Sequence, residues 1–145
     1  MPCYNTWIKS NLKFMKGFYL NLEKETLANE DYRRVLYTAK YSQLVLMSLL
    51  PGEEIGMEVH EDHDQFFRFE SGEGKVFIDE NIYDVSDGFT AIVPAGAKHN
   101  VVNSSKNKKL KLYTIYSPAE HKNGVIVHQK SEAVEEHFDG ITSEK

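Results

Sequence analysis

Apolar and polar positions alternate in short runs along most of the chain. Residues 43–50 (QLVLMSLL) form an almost continuous apolar run that ends at a Pro-Gly pair, which is typical of a buried strand. Residues 110–116 (LKLYTIY) alternate and are rich in aromatic and β-branched residues. Residues 75–78 and 82–85 flank an Asn-containing turn and predict a hairpin. Further short strands are predicted at residues 18–22, 58–60, 65–70 and 89–93.

Short strands with Gly, Pro, Asn and Asp between them predict an all-β barrel or sandwich. The strands fall within residues 17–118, which we assign to one domain. Residues 1–16 are polar and aperiodic, and we expect a disordered or strand-swapped extension there. In the tail, residues 119–145, the sequence SEAVEEHF predicts one short helix with Ser131 as its N-cap and Glu132 in its first turn.

Composition narrows the classes of protein to consider. The chain has 145 residues and a net charge of −5, so we expect one domain with no general affinity for nucleic acid or anionic membranes. Cys3 is the single cysteine, which excludes an intrachain disulfide and fits a cytoplasmic location. No apolar run approaches the roughly 20 residues that a spanning helix needs, and no signal-peptide core is recognisable.

The most specific pattern is in residues 88–103 (GFTAIVPAGAKHNVVN). An Asp-Gly turn leads into a strand, Pro94 ends that strand, and Gly96 allows a tight bend. The bend reverses the chain, so His99 can point into the space between two sheets. Asn103 can then hydrogen-bond its own loop.

This spacing resembles the second conserved motif of the cupin family at every fixed position. The family's first motif fits upstream in a register from Gly52 to Gly72, with two changes of identity. Glu58 stands where the first histidine of a His-x-His pair is usual, and Gln65 stands where a glutamate is usual. The chain thus resembles a small single-domain cupin of type 2, similar to mannose-6-phosphate isomerases. The resemblance implies a double-stranded β-helix, a jelly-roll-like barrel of two antiparallel sheets.

Four residues in this register are candidate ligands of one divalent metal. Residues i and i+2 of a strand share a face about 7 Å apart, so Glu58 and His60 can converge on one ion. Gln65 enters from the next strand, and His99 closes the site from across the barrel. The set keeps the single negative charge of the usual three histidines and one glutamate, which argues for retained metal binding. Mixed nitrogen and oxygen ligands suit Mn, Fe, Zn or Ni, and Gln65 either ligates directly or holds a water at the metal.

Other notable residues have simpler interpretations. His63 lies off the face set by Glu58 and His60, and we expect an exposed loop residue there. The remaining histidines lack a partner pattern and are expected on the surface: His121, His128 and His137. The phenylalanines of the next strand are expected in the core: Phe66, Phe67 and Phe69. Arg68 alternates outward, where it can pair with Glu70 or contact a partner subunit.

Three functions are compatible with this site. The first is a sugar or sugar-phosphate isomerase in which the metal polarises a carbonyl. It requires a basic group near the pocket, and the nearby candidates are few: Lys98, Arg68 and Lys75. The second is a non-haem Fe(II)-type oxygenase, since Glu58, His60 and His99 provide two histidines and a carboxylate. The third is a non-catalytic, metal-dependent binding module. The resemblance also implies a homodimer paired through its sheets.

Overall fold

The computed structural model describes residues 14–144, and these contain two antiparallel sheets. The strands are β1 (Arg33–Thr38), β2 (Gln43–Leu49), β3 (Glu58–Val59), β4 (Asp64–Ser71), β5 (Glu73–Ile78), β6 (Asn81–Ser86), β7 (Thr90–Val93), β8 (Lys98–Asn103), β9 (Leu110–Ser117) and β10 (Ile126–Val127). One sheet has the order β10-β1-β2-β9-β4-β7, and the other has the order β3-β8-β5-β6. The all-β cupin architecture expected from the sequence is confirmed.

The core lies between the two sheets and follows the alternation of the strands. In β4, Phe67 and Phe69 are buried and face the inside, together with Gln65. In β9 the buried residues include Leu110 and Leu112. The predicted hairpin is confirmed, with β5 paired to β6 from Ile78↔Asn81 onward. Phe66 is only partly buried and contacts Tyr113 with a ring-centroid distance of 6.3 Å, so its assignment to the core is wrong.

Strand β1 was missed, and the strand predicted at residues 18–22 is wrong. The chain is irregular up to Asn21, whose side chain accepts a hydrogen bond from the Lys24 backbone N–H and caps helix α1 (Leu22–Ala28). Glu23 and Glu25 in the first turn favour this helix electrostatically. A cap and two acids therefore outweigh the weak alternation of residues 18–22.

Asn103 ties the end of β8 to its surroundings. Its side-chain amide donates to the carbonyls of Leu49, Leu50 and Lys108, and its Oδ1 accepts from the Ser105 backbone N–H. The expectation that Asn103 bonds its own loop is confirmed. These contacts fix the orientation of β8, the strand that carries His99.

Gly72 shows why the first motif ends in glycine. Its φ is +96°, which side chains rarely adopt, and a Cβ atom would collide with the Lys109 carbonyl. The bend between β4 and β5 therefore depends on glycine at this position. That bend carries the chain from one sheet into the other.

The tail departs from its prediction. In place of the helix from Ser131 there is a single 3₁₀ turn, Lys130–Glu132, and the chain then runs without regular structure. Gln129 precedes the turn without a side-chain capping bond, so Ser131 is not an N-cap. Earlier in the tail, β10 pairs with β1. After the turn, the Phe138 backbone N–H donates to the Glu120 carbonyl and the Ser143 N–H to the Thr38 carbonyl, each over 2.8 Å, so these groups bond to distant residues and not to a helical turn.

None of the helices within residues 14–144 is long and apolar enough to cross a membrane.

Candidate metal centre

Two strands of the smaller sheet bring three of the predicted ligands together. Glu58 opens β3 and is the direct cross-strand partner of His99 in β8. His60 follows β3, and its Nε2 lies 3.2 Å from Glu58 Oε2. The Gly96 backbone N–H donates to the His60 carbonyl over 2.8 Å, so the Pro-Ala-Gly turn holds this histidine beside the sheet. Donor atoms of Glu58, His60 and His99 all lie within 4.8 Å of one another.

Gln65 reaches the same place from the larger sheet. It is 2% exposed, and its Oε1 lies 3.1 Å from His99 Nε2. Its amide nitrogen donates to Thr114 Oγ1 over 3.0 Å, which turns the amide oxygen toward the histidines. All four predicted ligands are thus adjacent. Metal binding by this set stays a prediction.

The pKa values of His60 and His99 are shifted in opposite directions. Burial lowers the pKa of His99, and the Ala97 carbonyl only partly offsets this effect. At His60 burial also disfavours the charged ring, but the hydrogen bond and the charge of Glu58 outweigh it and raise the pKa. His99 is therefore a neutral imidazole at neutral pH, which is the form that binds metals.

The hydrogen bonds of His99 and Gln65 fit a bound cation. The Ala97 carbonyl can only accept, so His99 Nδ1, 3.0 Å away, carries the proton. The lone pair of Nε2 then faces the Gln65 amide oxygen, another acceptor. Two acceptors at 3.1 Å repel each other unless a cation lies beside both. A flipped amide would instead donate to His99, so the orientation of Gln65 decides whether it belongs to the ligand set.

A second cluster shares His60 and corrects the prediction for His63. The side chain of His63 is only 14% exposed, and its Nε2 is in close contact with Glu120 Oε2. The same carboxylate lies 3.7 Å from His60 Nδ1, and its other oxygen lies 3.4 Å from His137 Nδ1. Glu120 comes from the loop after β9, so no spacing in the first motif pointed to it. His63 is therefore a half-buried partner of Glu120 and not an exposed loop residue.

The other three histidines differ in their exposure to solvent. His128 and His137 are exposed, as expected, but His121 is 7% exposed, and the expectation of a surface residue is wrong. Its Nε2 lies 3.3 Å from the Tyr116 hydroxyl, and burial lowers its pKa to about 3. His121 therefore stays neutral beside the site.

A cavity of about 400 Å³ opens next to the cluster. Glu58, His60, Glu120 and His121 line it, together with Arg33 and Lys130. The basic candidates from the sequence lie elsewhere: Lys75 pairs with Asp84, and Arg68 pairs with Glu70. Arg33 was not among the basic residues predicted near the pocket, because the strand that carries it, β1, was not predicted.

The fold and this donor set define the class of protein. The cupin domain family matches residues 45–116, and the chain belongs to the cupin family.

Two sequence relatives and one solved structure are similar to most of the chain. Protein L612 of Acanthamoeba polyphaga mimivirus is 45% identical over 112 residues, which span 75% of this chain and 70% of the viral protein. YrkC of Bacillus subtilis is 41% identical over 128 residues, which span 82% of this chain and 67% of YrkC. The crystal structure of BH2720 from Bacillus halodurans has 39% identity and a TM-score of 0.78, and the match covers 80% of this chain and 92% of that one. These similarities support a small cupin fold.

Proposed function

We propose that this cupin is a metal-dependent isomerase of a small hydroxy-carbonyl compound of the sugar type. The observation that carries the proposal is the pair formed by Glu120 and His63 beside the Glu58–His60–His99 cluster. An isomerase must take a proton from one carbon and return it to another. The site contains a carboxylate and an imidazole in contact, which suits that task.

Each residue of the site has a role that follows from its position. Glu58, His60 and His99 would hold the ion, and Gln65 would complete the set through its amide oxygen. When bound, a divalent metal supplies a Lewis acid that polarises an oxygen of the substrate. Glu120 would accept the proton from the carbon next to the carbonyl and return it to the former carbonyl carbon, while the hydroxyl proton of the substrate passes to the carbonyl oxygen. His63 Nε2 would stabilise the change of charge on the Glu120 carboxylate. The neighbouring His60 Nδ1, 3.7 Å from Glu120 Oε2, keeps this pair beside the donor cluster.

An Fe(II)-type oxygenase is the second candidate. The two histidines and one carboxylate at Glu58, His60 and His99 favour it, because this ligand set with open positions is common among non-haem iron oxygenases. The oxygenase reaction does not use the Glu120–His63 pair. Glu120 is therefore required by the isomerase and not by the oxygenase.

The first experiment tests the metal. Elemental analysis of purified wild type, before and after supplementation with Mn, Fe, Zn and Ni, is compared with the double variant His60→Ala/His99→Ala. We expect close to one ion per chain in wild type and none retained by the variant. Equal metal contents in the two proteins would refute the site, and binding without any turnover would favour a non-catalytic binding module.

The second experiment tests the reaction class. Metal-loaded protein is incubated in D₂O with a panel of aldoses and ketoses, with and without a carboxylate group, and deuterium at the carbon next to the carbonyl is followed by NMR. We expect incorporation that falls roughly 10²- to 10⁴-fold in Glu120→Gln. Glu135→Gln is the matched control, since Glu135 lies at the same cavity with its side chain 87% exposed. Oxygen uptake with no deuterium incorporation would replace the isomerase with the oxygenase.

A further inference from the structure

Arg33 is a buried cation at the start of β1. It is 8% exposed and shares the inner face of the strand with Val35, whereas Arg34 between them faces outward. The guanidinium carbon lies 5.5 Å from the centre of the Tyr32 ring, so the side chain is held against an aromatic surface.

This cation has no anionic partner in the part of the chain that the structure describes. Arg33 takes part in none of the ion pairs among residues 14–144, and its buried Nε has no hydrogen-bond acceptor. A buried charge without a partner costs stability, so its presence at a cavity calls for an anion from outside the chain.

The cavity beside the candidate metal centre is the place where that anion can enter. Arg33 lines it together with Glu58 and His60, and Lys130 contributes a second positive charge to the wall. We propose that Arg33 binds a carboxylate group of the substrate, which makes the substrate a hydroxy-carbonyl compound that also carries a carboxylate, and not a neutral sugar. That the bound anion is a substrate rests on the proposed function. The anion site itself does not depend on a metal.

The charges around the cavity favour a carboxylate over a phosphate. Arg33 and Lys130 are opposed by four carboxylates that line the same space: Glu58, Glu120, Glu135 and Glu136. A phosphate dianion would bring a second negative charge among them, whereas one planar carboxylate matches one guanidinium fork. The scarcity of basic residues noted in the sequence points the same way.

The test follows the Arg33 side chain itself. The full-length protein is labelled with ¹⁵N, the Nε–H signal of Arg33 is assigned by its loss in Arg33→Lys, and glycolate, ethylene glycol and inorganic phosphate are titrated separately. We expect glycolate to shift this signal saturably in the millimolar range and ethylene glycol to leave it unchanged. Phosphate that binds more tightly than glycolate would overturn the choice of a carboxylate. No shift with either anion would overturn the site.

Matched variants separate a binding role from a structural one. In the variants, glycolate binding is followed on the backbone amide signals of the cavity residues, and its affinity should fall roughly 10- to 100-fold in Arg33→Gln, as expected for loss of a charged hydrogen-bonding partner. It should stay at the wild-type value in Arg34→Gln, where an outward arginine 3.9 Å from Asp31 is removed. If Arg33→Gln does not fold, Arg33→Lys, which keeps the charge but loses the fork, should still weaken glycolate binding. An unchanged affinity in both variants refutes the inference.

The double variant His60→Ala/His99→Ala distinguishes this inference from the proposed function. If the metal centre fails and the Arg33 signal still responds to glycolate, the anion site stands without the enzyme. If metal and deuterium exchange are confirmed and Arg33 does not respond, the enzyme stands and the carboxylate-bearing substrate is wrong.

Discussion

At the residue scale, the role predicted for Gln65 depends on which end of its amide faces His99. Gln65 has both an oxygen and a nitrogen at the end of its side chain, and only the oxygen can bind a metal. The Thr114 hydroxyl is fully buried and accepts from the amide nitrogen over 3.0 Å, so it anchors the amide with its oxygen toward His99. The acid that cupins usually carry at position 65 would need no such partner, because both of its oxygens can ligate.

This dependence makes Thr114→Val a test of direct ligation by Gln65. The change keeps the volume of the side chain and removes the hydroxyl, and we expect metal affinity to fall roughly 10- to 100-fold. Isothermal titration with zinc or manganese gives the affinity. Thr90→Val is the control, because it removes a threonine hydroxyl bonded to the Phe67 carbonyl, outside the donor set. An unaffected affinity in Thr114→Val would show that the Gln65 amide is not a ligand oriented by this hydroxyl.

His121 gives the fold a defined response to acid. Its pKa is lowered from 6.5 to about 3, first by burial and then by the charge of Arg33. The unfolded chain therefore takes up a proton below pH 6.5 that the folded chain refuses until about pH 3. The contribution of His121 to the free energy of unfolding is complete above pH 6.5 and is lost as the pH falls toward 3. The slope is up to about 1.4 kcal/mol per pH unit.

Urea unfolding at several pH values checks this response. The free energy of unfolding of wild type should fall below pH 6.5, and that of His121→Gln should fall less steeply. His128→Gln is a control of opposite sign. Its partner Asp31 raises the pKa of His128, so any contribution from this exposed residue is present at low pH and lost as the pH rises. Equal slopes in wild type and His121→Gln would contradict the assignment.

At the element scale, Gln43 connects the tail to the barrel. This fully buried residue of β2 donates to Thr38 Oγ1 and to the His121 carbonyl, and its own oxygen accepts from the backbone N–H groups of Glu120 and His121. One side chain thus positions the loop that carries Glu120.

Gln43→Leu should therefore affect both stability and the site. The lost hydrogen bonds leave buried backbone groups without partners, and we expect the free energy of unfolding to fall by about 2 to 4 kcal/mol. We also expect the deuterium-exchange activity to fall with it, because Glu120 is no longer held beside His60. Gln129→Leu, at an exposed position, should change neither quantity. Loss of stability with full activity would show that Gln43 does not position Glu120.

The same elements show what the sequence could and could not predict. The strands with strong alternation were predicted to within a few residues, because burial on one face dictates their pattern. The proximity of the four candidate ligands could be predicted because their spacing follows from two adjacent motifs: Glu58, His60, Gln65 and His99. Glu120 comes from a segment that reaches the site only through tertiary contacts. No local sequence pattern therefore predicts that it lies at the site. The tail helix failed for the same reason, since the Phe138 and Ser143 backbone N–H groups bond to the distant carbonyls of Glu120 and Thr38.

At the scale of the whole molecule, the outer face of the larger sheet carries an apolar row. Ile92, Phe66, Ile115 and Leu44 are successive cross-strand partners on β7, β4, β9 and β2. Their side chains point away from the core, and Ile92 is 62% exposed. Contiguous exposed apolar surface marks sites of protein association. The homodimer that the cupin resemblance implies stays a prediction, and this row is where we expect the second copy to pack.

A single charge should therefore dissociate the dimer. In Ile92→Lys the ammonium group would have to be buried without a partner at the interface, whereas the exposed monomer surface tolerates it. Sedimentation velocity should show a dimer for wild type and a monomer for Ile92→Lys, with little change in thermal stability measured at low protein concentration. Ile82→Lys is the control, since Ile82 is 59% exposed and lies on β6 in the other sheet. A monomeric wild type at high concentration would refute the dimer. A dimer that persists in Ile92→Lys would place the interface on another face, and Phe66→Lys on the same row would then leave the dimer intact as well.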